Sequence, residues 1–207
     1  MTPQRLNATS LRQEMAKRRE TLTREEGDAT SHLIEEQFKA FFLKSSVWKN
    51  RKVALYRSLP TELNLEGIQS WLSAAGADIF LPRINNKAIE MVHVASPAQT
   101  LWHKGTYGID EPPLDLKATH PELLDVIFVP GVAFGPKGER IGRGGGYYDR
   151  FLSHARHALR VALAFDFQIY PSLEQKAWDQ PVHWILTEKQ DIRMPRAADW
   201  LKEVAVK

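Results

Sequence analysis

Short apolar runs alternate with longer stretches of helical pattern along this chain. The runs are rich in Val, Ile, Leu and Phe, which is typical of strands buried on both faces of a sheet. They are KVALY (52–56), DIFLP (78–82), DVIFVP (125–130), RVALAF (160–165) and HWILTE (183–188). The intervening segments 28–44, 64–75 and 146–158 are predicted to be helical. This alternation predicts β–α units, with 183–188 as the last strand.

We therefore expect an α/β fold: a single-domain, open, mostly parallel sheet flanked by helices on both faces. Residues 88–94 are predicted to add a strand through a turn at Asn85-Asn86, and 97–122 to be loop with short elements. A length of 207 residues with 43% hydrophobic residues suffices for one well-packed core. The predicted domain spans 1–207, with a basic helical segment at 1–24 and a C-terminal tail at 189–207.

Several classes of protein are excluded by composition. The chain has no cysteine, so it has no disulfide, thiolate zinc site, iron–sulfur cluster or cysteine nucleophile. Its first residues lack the apolar core of a secretory signal, and no stretch approaches 18 apolar residues. We expect a cytoplasmic protein with no membrane partner.

The basic excess is concentrated at the N-terminus. Residues 1–24 carry six basic and two acidic side chains, whereas the whole chain has a net charge of only +3. No aromatic residue is interleaved with these charges, which argues against a nucleic-acid partner. A solvated helix face is the ordinary interpretation, although Arg12 could also fold back towards a phosphate. A nucleic-acid-binding module is retained as an alternative.

The loop after the 125–130 run has the features of a phosphate site. Glycines are concentrated between 131 and 146, and four of them immediately precede a predicted helix start at Tyr147. Glycines let backbone amides approach a ligand closely, and a helix N-terminus offers free amides to an anion. Arg140 and Arg143 add guanidinium groups suited to phosphate. The spacing matches neither a Walker loop nor the dinucleotide fingerprint.

Three carboxylates are candidate functional groups with simpler alternatives. Asp149 near a helix N-terminus either stabilises the helix dipole or holds Mg²⁺ against bound phosphates, and Asp179 is its candidate partner or a surface acid. Glu62 either belongs to a helix start, capped by Thr61 or Asn64, or binds an N–H-rich heterocycle. From position alone we favour the helix start.

An ordered set of motifs resembles the 5-formyltetrahydrofolate cyclo-ligase family, also called methenyltetrahydrofolate synthetase. The resemblance covers residues 10 to 188. Its motifs are SLR (10–12), LPTEL (59–63), LPR (81–83), MVHVASP (91–97), GIDEP (108–112), VPGVAF (129–134), GRGGGYYDR (142–150), FDFQ (165–168), WDQPV (178–182) and LTE (186–188). Single motifs are weak, but the ordered set is highly specific.

This resemblance implies a reaction and its substrates. The family converts 5-formyltetrahydrofolate, ATP and Mg²⁺ into 5,10-methenyltetrahydrofolate, ADP and phosphate, through a phosphorylated formyl (iminium phosphate) intermediate. Phosphoryl transfer of this kind requires positioning and charge neutralisation rather than a protein nucleophile. We expect a monomer whose partners are these small molecules.

The resemblance also implies roles for individual residues. Arg143 and Tyr147 are the expected catalytic residues, and Asp149 and Asp179 the expected metal ligands. The expected ATP-binding residues are Arg12, Arg140, Ile141, Gly142, Arg143, Gly144, Gly145, Gly146, Tyr147 and Tyr148. The expected folate-binding residues are Glu62, Met91, Tyr107, Arg143, Gly144, Gly145, Gly146 and Tyr147.

The chain departs from the family pattern at three positions. Ala8 stands where the family usually has lysine, Gly135 where it has aspartate, and Trp178 where it commonly has histidine. Two alternatives follow: a folate- or nucleotide-binding paralogue with little cyclo-ligase activity, and an ATP-dependent enzyme for another formylated heterocycle.

Overall fold

The computed structural model describes residues 7–42, 45–95, 100–105 and 108–205. Its helices are α1 (Ala8–Thr21), α2 (Arg24–Ala40), α3 (Glu66–Ala74), α4 (Tyr147–His154) and α5 (Pro195–Ala205). Its strands are β1 (Lys52–Ala54), β2 (Asp78–Asn85), β3 (Ala88–His93), β4 (His103–Lys104), β5 (Asp110–Glu111), β6 (Ala118–Thr119), β7 (Val126–Phe128), β8 (Ala133–Phe134), β9 (Arg140–Ile141), β10 (Leu159–Leu163), β11 (Trp184–Leu186) and β12 (Asp191–Arg193).

The central feature of the described residues is an eight-stranded sheet in the order β12-β11-β10-β7-β1-β2-β3-β6. The strands from β11 to β2 run parallel, and antiparallel strands extend the sheet at both edges. Every residue of β7 and β10 is buried, because layers cover both faces there. The prediction of an open, mostly parallel sheet is confirmed.

Helices cover both faces of the sheet, as predicted. On one face, α2, α3 and α5 share a core with alternate strand residues, and Phe38 lies centrally with its ring centroid 5.5 Å from that of Phe128 and 5.6 Å from that of Trp184. On the other face, Phe151 and Leu152 of α4 pack with the opposite set of strand residues. None of the helices among the described residues combines the length and hydropathy that a bilayer crossing requires.

Two predictions at element ends are corrected. The 183–188 run is not the last strand, because β12 pairs antiparallel with β11 and α5 follows it within the predicted tail. The polar composition of Asp191–Arg193 concealed this short edge strand. The second helix begins at Arg24 rather than at 28, because Thr23 and Glu26 form a reciprocal capping box.

The chain changes direction between β1 and β7, and this point positions the site. From β1 the chain continues through α3 to β2 on one side, whereas from β7 it continues through α4 to β10 on the other. The loops that follow β1 and β7 therefore open a crevice at the carboxyl ends of adjacent strands, where open α/β sheets bind ligands. Helix α1 lies against this end, packing Leu11 and Met15 on Val132 and Ile141.

Candidate active site

A cavity of about 1100 Å³ lies in this crevice. Its walls come from the N-terminus of α1, the loop after β1, the end of β2, the loop between β7 and α4, and the segment before β11. Among the residues with expected roles, those on the walls are Arg12, Glu62, Arg140, Ile141, Gly142, Arg143, Gly144, Gly145, Gly146, Tyr147, Tyr148, Asp149 and Asp179. Residues distant in sequence are thus brought to one cavity of nucleotide or pterin size.

The glycine-rich loop reaches the cavity through a small hairpin. Strands β8 and β9 pair antiparallel and return the chain to the cavity at Gly142. Gly144 and Gly146 have positive φ values of 105° and 65°, a region that side-chain-bearing residues rarely adopt. Gly146 is the N-cap of α4 and offers no side-chain cap. The first amides of α4 are therefore left for an anion in the cavity.

The two arginines of this loop have different environments. The Arg140 side chain is only 2% exposed, and its Nη2 lies 2.6 Å from Asp149 Oδ1. Arg143 is 42% exposed, and its Nη2 lies 2.6 Å from Glu62 Oε1. Arg140 is thus fixed within the wall, whereas Arg143 extends across the cavity from a glycine loop. Of the two, Arg143 is the cation that can readily change partner.

Glu62 is a buried carboxylate within a turn, not part of a helix start. Its side chain is 7% exposed, and Oε1 also lies 3.2 Å from Arg19 Nη1. Oε2 accepts the backbone N–H of Leu59 at 3.1 Å. The following helix has Leu65 as its N-cap residue, and Asn64, one position earlier, accepts the N–H of Glu66 at its Oδ1. The prediction that Glu62 belongs to a helix start capped by Thr61 or Asn64 is therefore wrong.

Helix α1 contributes directly to the site. Arg12 Nε donates to the carbonyl of Gly142 at 2.8 Å, so this guanidinium folds back onto the glycine-rich loop. Asn7 and Ala8 also line the cavity. The basic segment is therefore only partly a solvated face. Arg19, which no motif indicated, reaches the site through its contact with Glu62.

Asp149 and Asp179 both face the cavity. Asp149 Oδ1 accepts from Arg140 and from the N–H of Gln180, and Asp179 Oδ2 accepts the N–H of Lys176 at 2.8 Å. Among the described residues no cluster of three or more acids and histidines is suited to a metal. Two carboxylates with room for ligand oxygens fit Mg²⁺, which prefers one or two carboxylates together with phosphate and water.

Two expected folate residues have different outcomes. Met91 is fully buried in the core beneath α4 and is not among the side chains that line the cavity, so its role in folate binding stays a prediction. Ile89, two residues earlier and on the same side of β3, lines the cavity instead. Tyr107 lies outside the described residues.

Aromatic residues also line the wall, and of these sequence reasoning expected Tyr148 but missed Tyr56. Burial raises the pKa of the Tyr56 phenol, with a smaller contribution from nearby Glu62, and burial likewise raises the pKa of Tyr148. Both phenols therefore remain protonated and available as hydrogen-bond donors. Trp178 is 65% exposed at the rim of the cavity. Tyr56 ends an apolar run, so its sequence environment did not distinguish it from a core residue.

Comparisons with known proteins agree with this geometry. A sequence model described as the 5-formyltetrahydrofolate cyclo-ligase family matches residues 5–188. The chain is 31% identical over 140 residues to the 5-formyltetrahydrofolate cyclo-ligase of Haemophilus influenzae, covering 66% of this chain and 75% of that protein. It is 29% identical over 189 residues to the mouse enzyme of the same name, covering 86% and 92%.

A solved structure is also similar in fold and sequence. The 5,10-methenyltetrahydrofolate synthetase of Aquifex aeolicus superimposes with a TM-score of 0.77 at 33% identity, covering 91% of this chain and 93% of that one. The chain belongs to the 5-formyltetrahydrofolate cyclo-ligase family.

Proposed function

We propose that this chain catalyses the ATP- and Mg²⁺-dependent cyclisation of 5-formyltetrahydrofolate to 5,10-methenyltetrahydrofolate, releasing ADP and phosphate. The observation that carries the proposal is that one cavity contains both the glycine-rich loop with its arginines, which we call the phosphate cradle, and the buried carboxylate of Glu62. Arg143 of the cradle and Glu62 are 2.6 Å apart, so ligands at the two positions would meet.

The cradle suits the phosphates of ATP. It combines the open N-terminus of α4, two glycines with positive φ and the guanidinium groups of Arg12, Arg140 and Arg143. These groups supply amide donors and positive charge, which are the requirements of phosphoryl transfer. Bound between Asp149, Asp179 and phosphate oxygens, Mg²⁺ would neutralise part of the phosphate charge.

The opposite wall suits a reduced pterin. Glu62 presents an acceptor to the ring N–H groups of a heterocycle, while Pro82, Ile84 and Ile89 form an apolar wall. A buried carboxylate that pairs with donor-rich heterocycles gives strong selectivity, because any ligand lacking those donors leaves the charge unpaired.

The chemistry follows from placing the two ligands side by side. The formyl oxygen attacks the γ-phosphorus, the bond to ADP breaks, and an iminium phosphate forms at N5. N10 then attacks the formyl carbon, its proton passes to the departing phosphate, and the C–O bond breaks to leave the methenyl cation. Arg143 neutralises charge on the transferred phosphoryl group, and Tyr147 borders the same position. With both ligands bound, the space left for water next to the activated carbon is reduced.

The direct test follows methenyl absorbance on mixing the protein with 5-formyltetrahydrofolate, Mg²⁺ and ATP. We expect a rise that requires all three, with one ADP released for each product formed. A non-hydrolysable ATP analogue should give binding without a rise. Folate binding with no ATP-dependent rise would contradict the proposal and favour a binding paralogue, the second candidate, for which the methyl group of Ala8 on the cavity wall is the supporting observation.

A further inference from the structure

Arg19 lies near the C-terminal end of α1 and bridges the two loops that form the crevice. Its side chain is 11% exposed, with Nη1 3.2 Å from Glu62 Oε1. Its Nη2 donates to the carbonyl of Gly131 at 2.9 Å. That carbonyl also accepts from Gln168 Nε2 at 3.1 Å. The guanidinium is therefore anchored to the loop after β7 while it contacts the carboxylate after β1.

Glu62 thus has two cationic partners at the same oxygen atom. Arg143 approaches Oε1 from an exposed glycine loop, whereas Arg19 approaches it from a packed helix and is held at a second point. If phosphate draws Arg143 away, Arg19 is the cation that remains. A buried carboxylate without any cation is strongly disfavoured, so the contact with Arg19 supports Glu62 in its buried position.

We propose that Arg19 is a positioning residue that holds the Glu62 carboxylate in its orientation for the pterin when Arg143 turns to the phosphates of ATP. Arg19 acts through Glu62 and touches neither substrate. The two arginines thus have different roles. Arg19 stabilises Glu62, the acceptor for the heterocycle, and Arg143 moves to the transferred phosphoryl group. This inference rests on the proposed function, since it assigns the pterin to Glu62.

The test measures equilibrium binding of 5-formyltetrahydrofolate by calorimetry, with and without a non-hydrolysable ATP analogue and Mg²⁺. We expect Arg19→Gln to weaken binding by about tenfold or more, with the larger loss when the analogue is bound. Arg19→Lys keeps the charge but reaches only one of the two acceptors, so it should restore part of the affinity. Arg18→Gln is the matched control, because Arg18 pairs with Glu14 on the outer face of α1; it should leave the affinity unchanged.

A double-mutant cycle separates positioning from a purely structural role. In a Glu62→Gln background, Arg19→Gln should have little further effect on folate binding, because the carboxylate that pairs with Arg19 is no longer present. An equal loss in both backgrounds would overturn the inference and leave the proposed function intact. If Glu62→Gln itself left folate binding unchanged, both the pterin assignment and the role of Arg19 would fail. Thermal melting of each variant shows whether a loss of folate affinity is due to unfolding. If Arg19→Gln does not fold, Arg19→Lys replaces it in the comparison with the unsubstituted protein.

Discussion

Arg140 Nη2 and Asp149 Oδ1 are 2.6 Å apart, with the arginine almost fully buried. One member of this pair is a candidate phosphate ligand, and the other is a candidate metal ligand. Each holds the other in the cavity wall, so the cradle and the cation position form one rigid unit. This arrangement separates the fixed charges of the site from Arg143, which spans the cavity.

Replacing Asp149 should raise the Mg²⁺ requirement of the reaction. Asp149→Asn removes a charged ligand, and we expect the Mg²⁺ concentration for half-maximal rate to rise by about 10- to 100-fold. Asp179→Asn should raise it less, because among the residues that the structure describes its carboxylate is held by the local turn at Lys176. Titration of the rate with Mg²⁺ at saturating ATP measures both effects. An unchanged requirement in both variants would contradict the proposed metal site.

Replacing Arg143 should affect catalysis, whereas replacing Arg140 should affect both catalysis and stability. Arg143→Gln should lower kcat by about 100-fold or more with little change in thermal stability, because Arg143 is exposed and acts on transferring charge. Arg140→Gln should also lower the unfolding free energy by about 2–4 kcal/mol, since it leaves Asp149 without its buried partner. Steady-state kinetics and chemical denaturation of the two variants provide the comparison. Equal losses of unfolding free energy in Arg143→Gln and Arg140→Gln would contradict the different structural roles of the two arginines.

Gly146 should not tolerate a side chain. At φ 65° a Cβ atom is strained, and it would lie 2.9 Å from Arg150 Nη1. We expect Gly146→Ala to cost about 1–2 kcal/mol of stability and to raise the KM for ATP. Gly27→Ala is the matched control, because nothing lies within 4 Å of its Cβ position inside α2. Gly27→Ala should stabilise the protein by up to about 1 kcal/mol. Denaturation midpoints of the two variants measure the expected loss and the expected gain of stability.

Stability should fall in mild acid because of His183. Burial lowers the pKa of His183 to about 4, and Arg160 and Arg196 add to the effect. Its Nδ1 accepts the backbone N–H of Arg160 at 3.1 Å, so the native state requires the neutral ring. The unfolded chain takes up this proton below about pH 6.5, so stability is lost as the pH falls from there towards 4.

His183→Asn keeps an acceptor but does not titrate in this range, so its unfolding free energy should depend less on pH between 6.5 and 4. Denaturant titrations at several pH values compare the two proteins. Identical slopes would show that His183 does not contribute.

The parts of the fold that the sequence predicts are those with strong local patterns. The apolar runs of β7 and β10 indicated buried central strands, and the glycines before Tyr147 indicated the start of α4. The short polar strand β12 had no such pattern, because it is stabilised by pairing with β11. Its existence depends on a neighbour that the local sequence does not describe.

Contacts between distant segments account for most of what was missed at the site. Arg19 lies within a charged helix, and only its approach to Glu62, 43 residues away in the chain, gives it a role. Met91 was assigned to the wall by resemblance, yet the register of β2 and β3 places it opposite Pro82 and inside the core. Depth within a sheet depends on packing, which the motif alone does not specify.

The docking of α1 also has a consequence for synthesis of the chain. Arg12 binds a carbonyl 130 residues later in the sequence, and Arg19 binds one 112 residues later. A growing chain exposes α1 at the ribosome long before these acceptors exist, and contacts of such high sequence separation form late. Among the described helices, α1 is made before the others and is therefore among the last elements to dock, and catalytic competence should appear only after the loop between β7 and α4 has emerged.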